Sequence, residues 1–191
     1  MEMLNMSNVT ASGDGFESPK AGGYIAKIVS VKDVPLDANT GKGKYLTINY
    51  DFAEGDFKDY YKDMQERLSA DWWGGHYIRS YKEKALPMFK RFCECVSKSN
   101  NGFIFDGGQI NHDEQTLVGK YVGLLLGEEE YNANDGTVKT RLYVVREYTI
   151  EQIKAGKFKV PELKKVPTST DSSNIANAGI TDTNEAFNPF N

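Results

Sequence analysis

The chain is poor in the residues that do most covalent chemistry. Its 191 residues include two histidines, His76 and His112, and two cysteines, Cys93 and Cys95. A catalytic triad or a zinc centre needs a cluster of such groups, and these four are not spaced as one. The cysteines stand one residue apart in a helical pattern, so they point to different faces and cannot easily bridge. Both are expected on a helix, Cys93 on its buried face. No disulfide, metal or cofactor is expected, and a reducing, cytoplasmic location is the simple inference. No phosphate-binding loop or dinucleotide fingerprint is present. No apolar run approaches membrane length, and the opening residues lack the basic-then-apolar order of a secretory signal. An excess of positive charge is missing too. The 23 Lys and Arg against 27 Asp and Glu give a net charge of −4. That argues against a generally basic nucleic-acid binder, while a local patch made by arrangement stays open.

Positive charge is scarcest at the C-terminus. Residues 166–191 hold no Lys or Arg and carry Asp171, Asp182 and Glu185, so they account for −3 and leave −1 for the rest. A stretch this polar cannot bury enough apolar surface to offset its ordering entropy, and disorder is expected. Phe187, Pro189 and Phe190 stand at its end. An anionic tail ending in aromatics suits a small hydrophobic and basic pocket on a partner, with Asp182, Glu185, Phe187, Pro189 and Phe190 as the contacts. Residues 1–21 are small, polar and Gly-rich and suggest a flexible arm. One domain, 22–165, lies between.

Within that domain, Tyr24 to Val34 is rich in β-branched residues and predicts a first strand. Tyr45 to Phe52 alternates, with Leu46, Ile48, Tyr50 and Phe52 on one face and Tyr45, Thr47 and Asn49 on the other. After a turn at Glu54 to Asp56, Phe57 to Lys62 suggests a third strand. Gly74-Gly75 looks like a hinge beside Trp72 and Trp73. From Tyr77 to Lys98, apolar residues recur at steps of three and four, predicting an amphipathic helix kinked or restarted at Pro87. Arg79, Lys82, Lys84, Lys90 and Arg91 would give that helix a basic face. Leu117 to Leu126 is a near-continuous apolar strand, Asn134 to Gly136 a hairpin turn, and Val138 to Tyr148 the last strand. A short helix and a basic segment should then pack back over the body. Three strands, a helix and two strands is the order of an OB-fold, a five-stranded Greek-key barrel.

Binding chemistry is better represented than catalysis. Tyr45, Thr47 and Asn49 share the polar face of the second strand, and Lys139, Arg141 and Tyr143 share a face of the last. In a barrel these strands would lie near each other, flanked by the loop around Lys42 and Lys44 and the hairpin around Asn134. Bases stack on aromatic planes for about 1–3 kcal/mol each while cations track phosphates. The bland alternative is that Tyr45 and Tyr143 merely pair across strands. Trp72 and Trp73 either close over a base or cap the barrel, with one buried and one exposed. Asn132, Asn134 and Gly136 have a passing likeness to a calcium loop but lack its leading aspartates and terminal glutamate. Glu128 to Glu130 are adjacent and do not converge as a metal-dependent nuclease would require.

The segments GGYIAKIVSVKDV, GKGKYLTINYDF, WWGGHYIRSYKEKALPMFKRF, LVGKYVGLLLGEEEY with DGTVKTRLYVV, and KFKVPELKK resemble a family of bacteriophage proteins, found mainly in phages of Gram-positive bacteria. The likeness covers about Gly22 to Lys165. Such proteins are similar to OB-fold single-stranded-DNA-binding proteins of replication and recombination modules, which implies that role here. It also implies single-stranded DNA as ligand and phage or host replication and recombination proteins as partners of the tail. Bacterial single-stranded-DNA-binding proteins end in an acidic run and Pro-Phe. Here Pro189-Phe190 matches, but Asn191 follows it and the acids are sparse. A homo-oligomer is compatible with the sequence, and the rival reading is a phage adaptor or inhibitor that holds a host protein without DNA affinity.

Overall fold

The computed structural model describes residues 17–166. The expected tail contacts Asp182, Glu185, Phe187, Pro189 and Phe190, and most of the N-terminal arm, lie outside the described residues. The elements run β1 (Gly22–Val34), β2 (Tyr45–Phe52), α1 (Tyr60–Leu68), β3 (His76–Ser80), α2 (Leu86–Ser99), β4 (Tyr121–Asn132), β5 (Val138–Tyr148) and α3 (Ile150–Lys154). The strands form one antiparallel sheet in the order β3-β2-β1-β4-β5.

β1 organises this sheet. Its first half pairs with β4, from Gly22 opposite Leu126 to Lys27 opposite Tyr121. Its second half pairs with β2, from Ala26 opposite Phe52 to Val34 opposite Tyr45. The two partners overlap only at Ala26 and Lys27. The register shifts between Ile28 and Ser30, and such a bulge bends a strand and increases its twist. Stagger of this kind lets a sheet curl. The sheet nevertheless has two edges, β3 and β5, with no backbone ladder between them, so the expected closed barrel is not formed. A side-chain contact bridges the two edges instead. Arg79 on β3 and Glu147 on β5 make a buried ion pair through the Arg79 Nε.

Two expected elements are different. Phe57 to Lys62 is not a strand but a turn leading into α1. The usual capping position, Asp59, makes no side-chain bond there and has a left-handed φ of 58°. Asp51 on β2 does the capping from outside the helix. Its carboxylate accepts the backbone N–H groups of Tyr61 and Lys62 at 3.0 Å and of Phe52 at 2.9 Å. Caps of this kind are worth about 0.5–2 kcal/mol. The second correction concerns Tyr77 to Lys98, which is not one helix. Residues 76–80 are β3, and α2 begins only at Leu86. Pro87 stands in the first turn of α2, where its missing N–H has no helical acceptor, so it starts the helix and does not kink it. The basic face expected of that helix keeps only Lys90 and Arg91: Arg79 points inward from β3, and Lys82 and Lys84 precede α2.

The core lies on the concave side. Phe89, Phe92, Cys93 and Val96 of α2 meet Ile28, Ile48, Leu124 and Leu126 of the sheet, all buried. Each side chain of this size contributes about 1.5–3 kcal/mol by leaving water. Cys93 and Cys95 are both buried and free, and burial pushes their thiols up to about 12 and about 11. Asn100 ties the end of α2 to β4, accepting the Tyr121 N–H at 3.0 Å and donating to the Tyr121 carbonyl at 2.8 Å. The strand expected from Leu117 starts later, at Tyr121, with Leu117 in a 3-10 turn. After β5, the chain does pack back. Lys164 bridges to Glu129, in parallel, on the stretch of β4 that extends past β1.

Candidate nucleic-acid interface

The convex face of β1, β2 and β3 forms a small platform. Alternation in β2 turns Leu46, Ile48 and Tyr50 inward and leaves Tyr45, Thr47 and Asn49 half-buried on the outer side. The registers put Lys32, Thr47 and Ile78 in one row, Ser30, Asn49 and His76 in the next, and Val34, Tyr45 and Ser80 in a third. Asn49 donates to the Ser30 hydroxyl at 2.9 Å, fixing its amide. Lys32, His76 and Ile78 are exposed.

The loop from residue 35 to 44 borders this platform. Lys44 has a left-handed φ of 63°. Its N–H donates to the Val34 carbonyl at 2.7 Å, and its own carbonyl accepts the Tyr81 N–H at 3.1 Å. Gly43 must be glycine: with φ of 95°, a Cβ there would fall 2.0 Å from the Pro35 carbonyl oxygen. Lys82 reaches back to the loop, its Nζ 3.0 Å from the Gly41 carbonyl. Among the described residues, none of Lys32, Lys42, Lys44 and Lys82 is ion-paired to a carboxylate.

At the His76 end the platform opens into a groove of about 850 Å³ between β3 and the β4–β5 hairpin. Trp72, His76 and Ile78 form one wall, and Glu129, Arg141 and Tyr143 belong to the other. His76 and Ile78 thus belong to both surfaces. Trp72 is 50% exposed, whereas Trp73 is half-buried and its indole N–H donates to the Tyr50 carbonyl at 2.8 Å. The Gly74-Gly75 pair beside them is no hinge. A Cβ on Gly75 would lie 2.4 Å from both the Tyr50 oxygen and the Tyr61 ring, so the pair lets the backbone close on the core.

The hairpin side is charged but internally paired. Lys139 meets Asp135 at 2.9 Å, and Arg141 meets Glu129 at 2.8 Å while lying over the Tyr131 ring. Side-chain bonds from Thr137 and Lys139 lower the Asp135 carboxyl to about 2. Lys164 covers the Tyr143 ring at 4.0 Å. The residues expected to bind therefore fall into two groups. Lys42, Lys44, Tyr45, Thr47 and Asn49 belong to the platform, and Trp72, Arg141 and Tyr143 to the groove. Lys139 stands at the hairpin, and Trp73 is packed inward. Tyr45 and Tyr143 are not cross-strand neighbours, because β1 and β4 separate β2 from β5. Lys32, His76 and Ile78 were not expected at the site, and Lys82 was expected on a helix face instead. The spacing of Lys32 from Ser30 and Val34 was available as a signal for the first of these.

Among the described residues, no group of three or more His, Cys, Asp or Glu is placed to hold a metal ion. No helix there is long and apolar enough to cross a membrane. No family model matches the chain, and no curated protein matches it either.

Proposed function

We propose that this protein binds single-stranded DNA without sequence preference and without catalysis, as a coating protein in phage replication or recombination. The observation that carries the reading is the platform. Tyr45 and His76 offer ring faces for bases, and four lysines with no carboxylate partner among the described residues stand around them to meet phosphates. The groove continues that surface toward Trp72 and Tyr143. Strand order supports an OB-type barrel left open between β3 and β5. β1 is shared by β2 and β4, and α2 fills the β3–β4 connection. In such folds the β2–β3 face and the β1–β2 and β4–β5 loops take oligonucleotides. On this reading the C-terminal residues from Asp182 to Phe190 recruit phage or host replication and recombination proteins in the cytoplasm of the infected cell.

The test is fluorescence anisotropy of a labelled oligo-dT titrated with full-length protein at several salt concentrations, beside a duplex control. Binding should be confined to the single strand. Its log affinity should fall with log salt at a slope of about −3, since four neutralised phosphates contribute about 0.7 each. Absence of binding at low salt would refute the proposal and favour a protein adaptor, and equal binding to duplex would refute it too.

A further inference from the structure

A second cavity opens on the inner side of β2, between α2 and the segment that follows it. Its volume is about 960 Å³, and it shares no lining residue with the groove beside β5. The floor is apolar, built from Leu46, Phe89 and Phe105, all buried. At its rim Leu86 and Ile104 remain 47% and 51% exposed. Open apolar concavities of this size usually serve a ligand or a partner.

Charge around the rim identifies the partner. Asp33, Glu94, Asp106 and Glu114 line the cavity against Lys90, Lys98 and the imidazole of His112, and Lys98 is already engaged by Glu94 at 3.6 Å. The surplus is therefore negative. It is also fixed in place. The Asp106 carboxylate accepts the N–H groups of Gly108, Ile110 and Asn111, and Asp33 accepts the Tyr81 hydroxyl at 2.7 Å. A rim of this sign repels nucleic acid and anionic lipid. It repels the chain's own ends as well. All 23 Lys and Arg lie within residues 17–166, so residues 1–16 and 167–191 contain acids but no Lys or Arg.

We propose that this cavity docks a basic, amphipathic peptide segment of a protein partner, with apolar anchors on the floor and lysines or arginines facing the rim carboxylates. Such helix-in-groove or extended-peptide docking combines buried anchors for affinity with charge for selection and orientation. The inference stands apart from the single-strand reading, because the two surfaces have no residue in common.

The test is selection from a random peptide library against the full-length protein, followed by anisotropy of the labelled enriched peptide. Enriched sequences should carry aromatic or aliphatic anchors flanked by Lys or Arg. Ile104→Asp should weaken the winner at least tenfold, and Glu94→Lys with Glu114→Lys at least fivefold, with circular dichroism unchanged. Failure to enrich any peptide would overturn the proposal, as would acidic winners or affinities indifferent to all three substitutions. Sedimentation of the protein alone supplies the last check. A dimer abolished by Ile104→Asp would mean that a second copy fills the cavity, which also overturns it.

Discussion

Removing Glu147 should show how much of the curled sheet depends on the contact between its edges. Glu147 is 2% exposed and Arg79 8%, so the pair is shielded from water. In Glu147→Leu the guanidinium keeps one protein acceptor, the Ile78 carbonyl 2.9 Å from Nη1. Breaking a buried pair by deleting one partner costs about 3–5 kcal/mol, because a charge is left uncompensated. Against a total stability of about 5–15 kcal/mol for an ordinary domain, that loss is large. Replacing both partners removes the stranded charge. The double variant Arg79→Met/Glu147→Leu should therefore regain most of the loss, giving a coupling of at least about 2 kcal/mol. Urea unfolding followed by tryptophan fluorescence measures all four proteins, provided their denaturant slopes agree. A loss under about 1 kcal/mol in Glu147→Leu, or a double variant equal to the sum of the singles, would refute the bridging role.

The other expectations concern the platform and the thiols. Tyr45→Ala should weaken oligo-dT binding about tenfold in anisotropy, within the 1–3 kcal/mol range of a stacked base. Tyr143→Ala should do less, because Lys164 already covers its ring. Lys32→Gln with Lys44→Gln should reduce the magnitude of the salt slope by about 1.4, two phosphates' worth, while Lys139→Gln changes it by less. Cys93 and Cys95, held up at about 12 and about 11 by burial, should remain protonated and unlabelled by a thiol reagent at pH 8. Both should label promptly in urea, and rapid labelling of the native protein would contradict the packing of α2.

The legible parts of the chain were those whose pattern answers to one local cause. β2 alternates because only one of its faces meets the core, so Tyr45, Thr47 and Asn49 were placed correctly from spacing alone. β3 defeats the same reasoning. His76 to Ser80 turns an isoleucine outward and an arginine inward, an inversion sensible only once Glu147, 68 residues later, is across from it. α1 was hidden for a related reason. Its cap comes from Asp51 on the preceding strand and not from Asp59 beside it. Phe57 to Lys62 thus looks like an aromatic strand when read without that carboxylate. Losing β3 also hid His76 and Ile78, and with them the junction of platform and groove.

Net charge misleads here in the same way as local pattern, because the sign that matters depends on which acids stand next to which bases. Residues 17–166 hold all 23 basic residues and 22 of the 27 acids, a balance of +1. Where acid and base are adjacent, as at Lys139–Asp135 and Arg141–Glu129, a phosphate has to displace a carboxylate before it gains anything. Exposed pairs of this sort are worth at most about 1 kcal/mol, so the exchange is feasible but yields little net affinity. Lys32, Lys42, Lys44 and Lys82 have no carboxylate to displace among the described residues. On the proposed reading a strand should therefore engage the β1–β3 face first and extend into the groove through stacking on Trp72, with the hairpin cations joining only weakly. Most of the salt dependence would then reside in four lysines, and most of the salt-independent affinity in the aromatic rings.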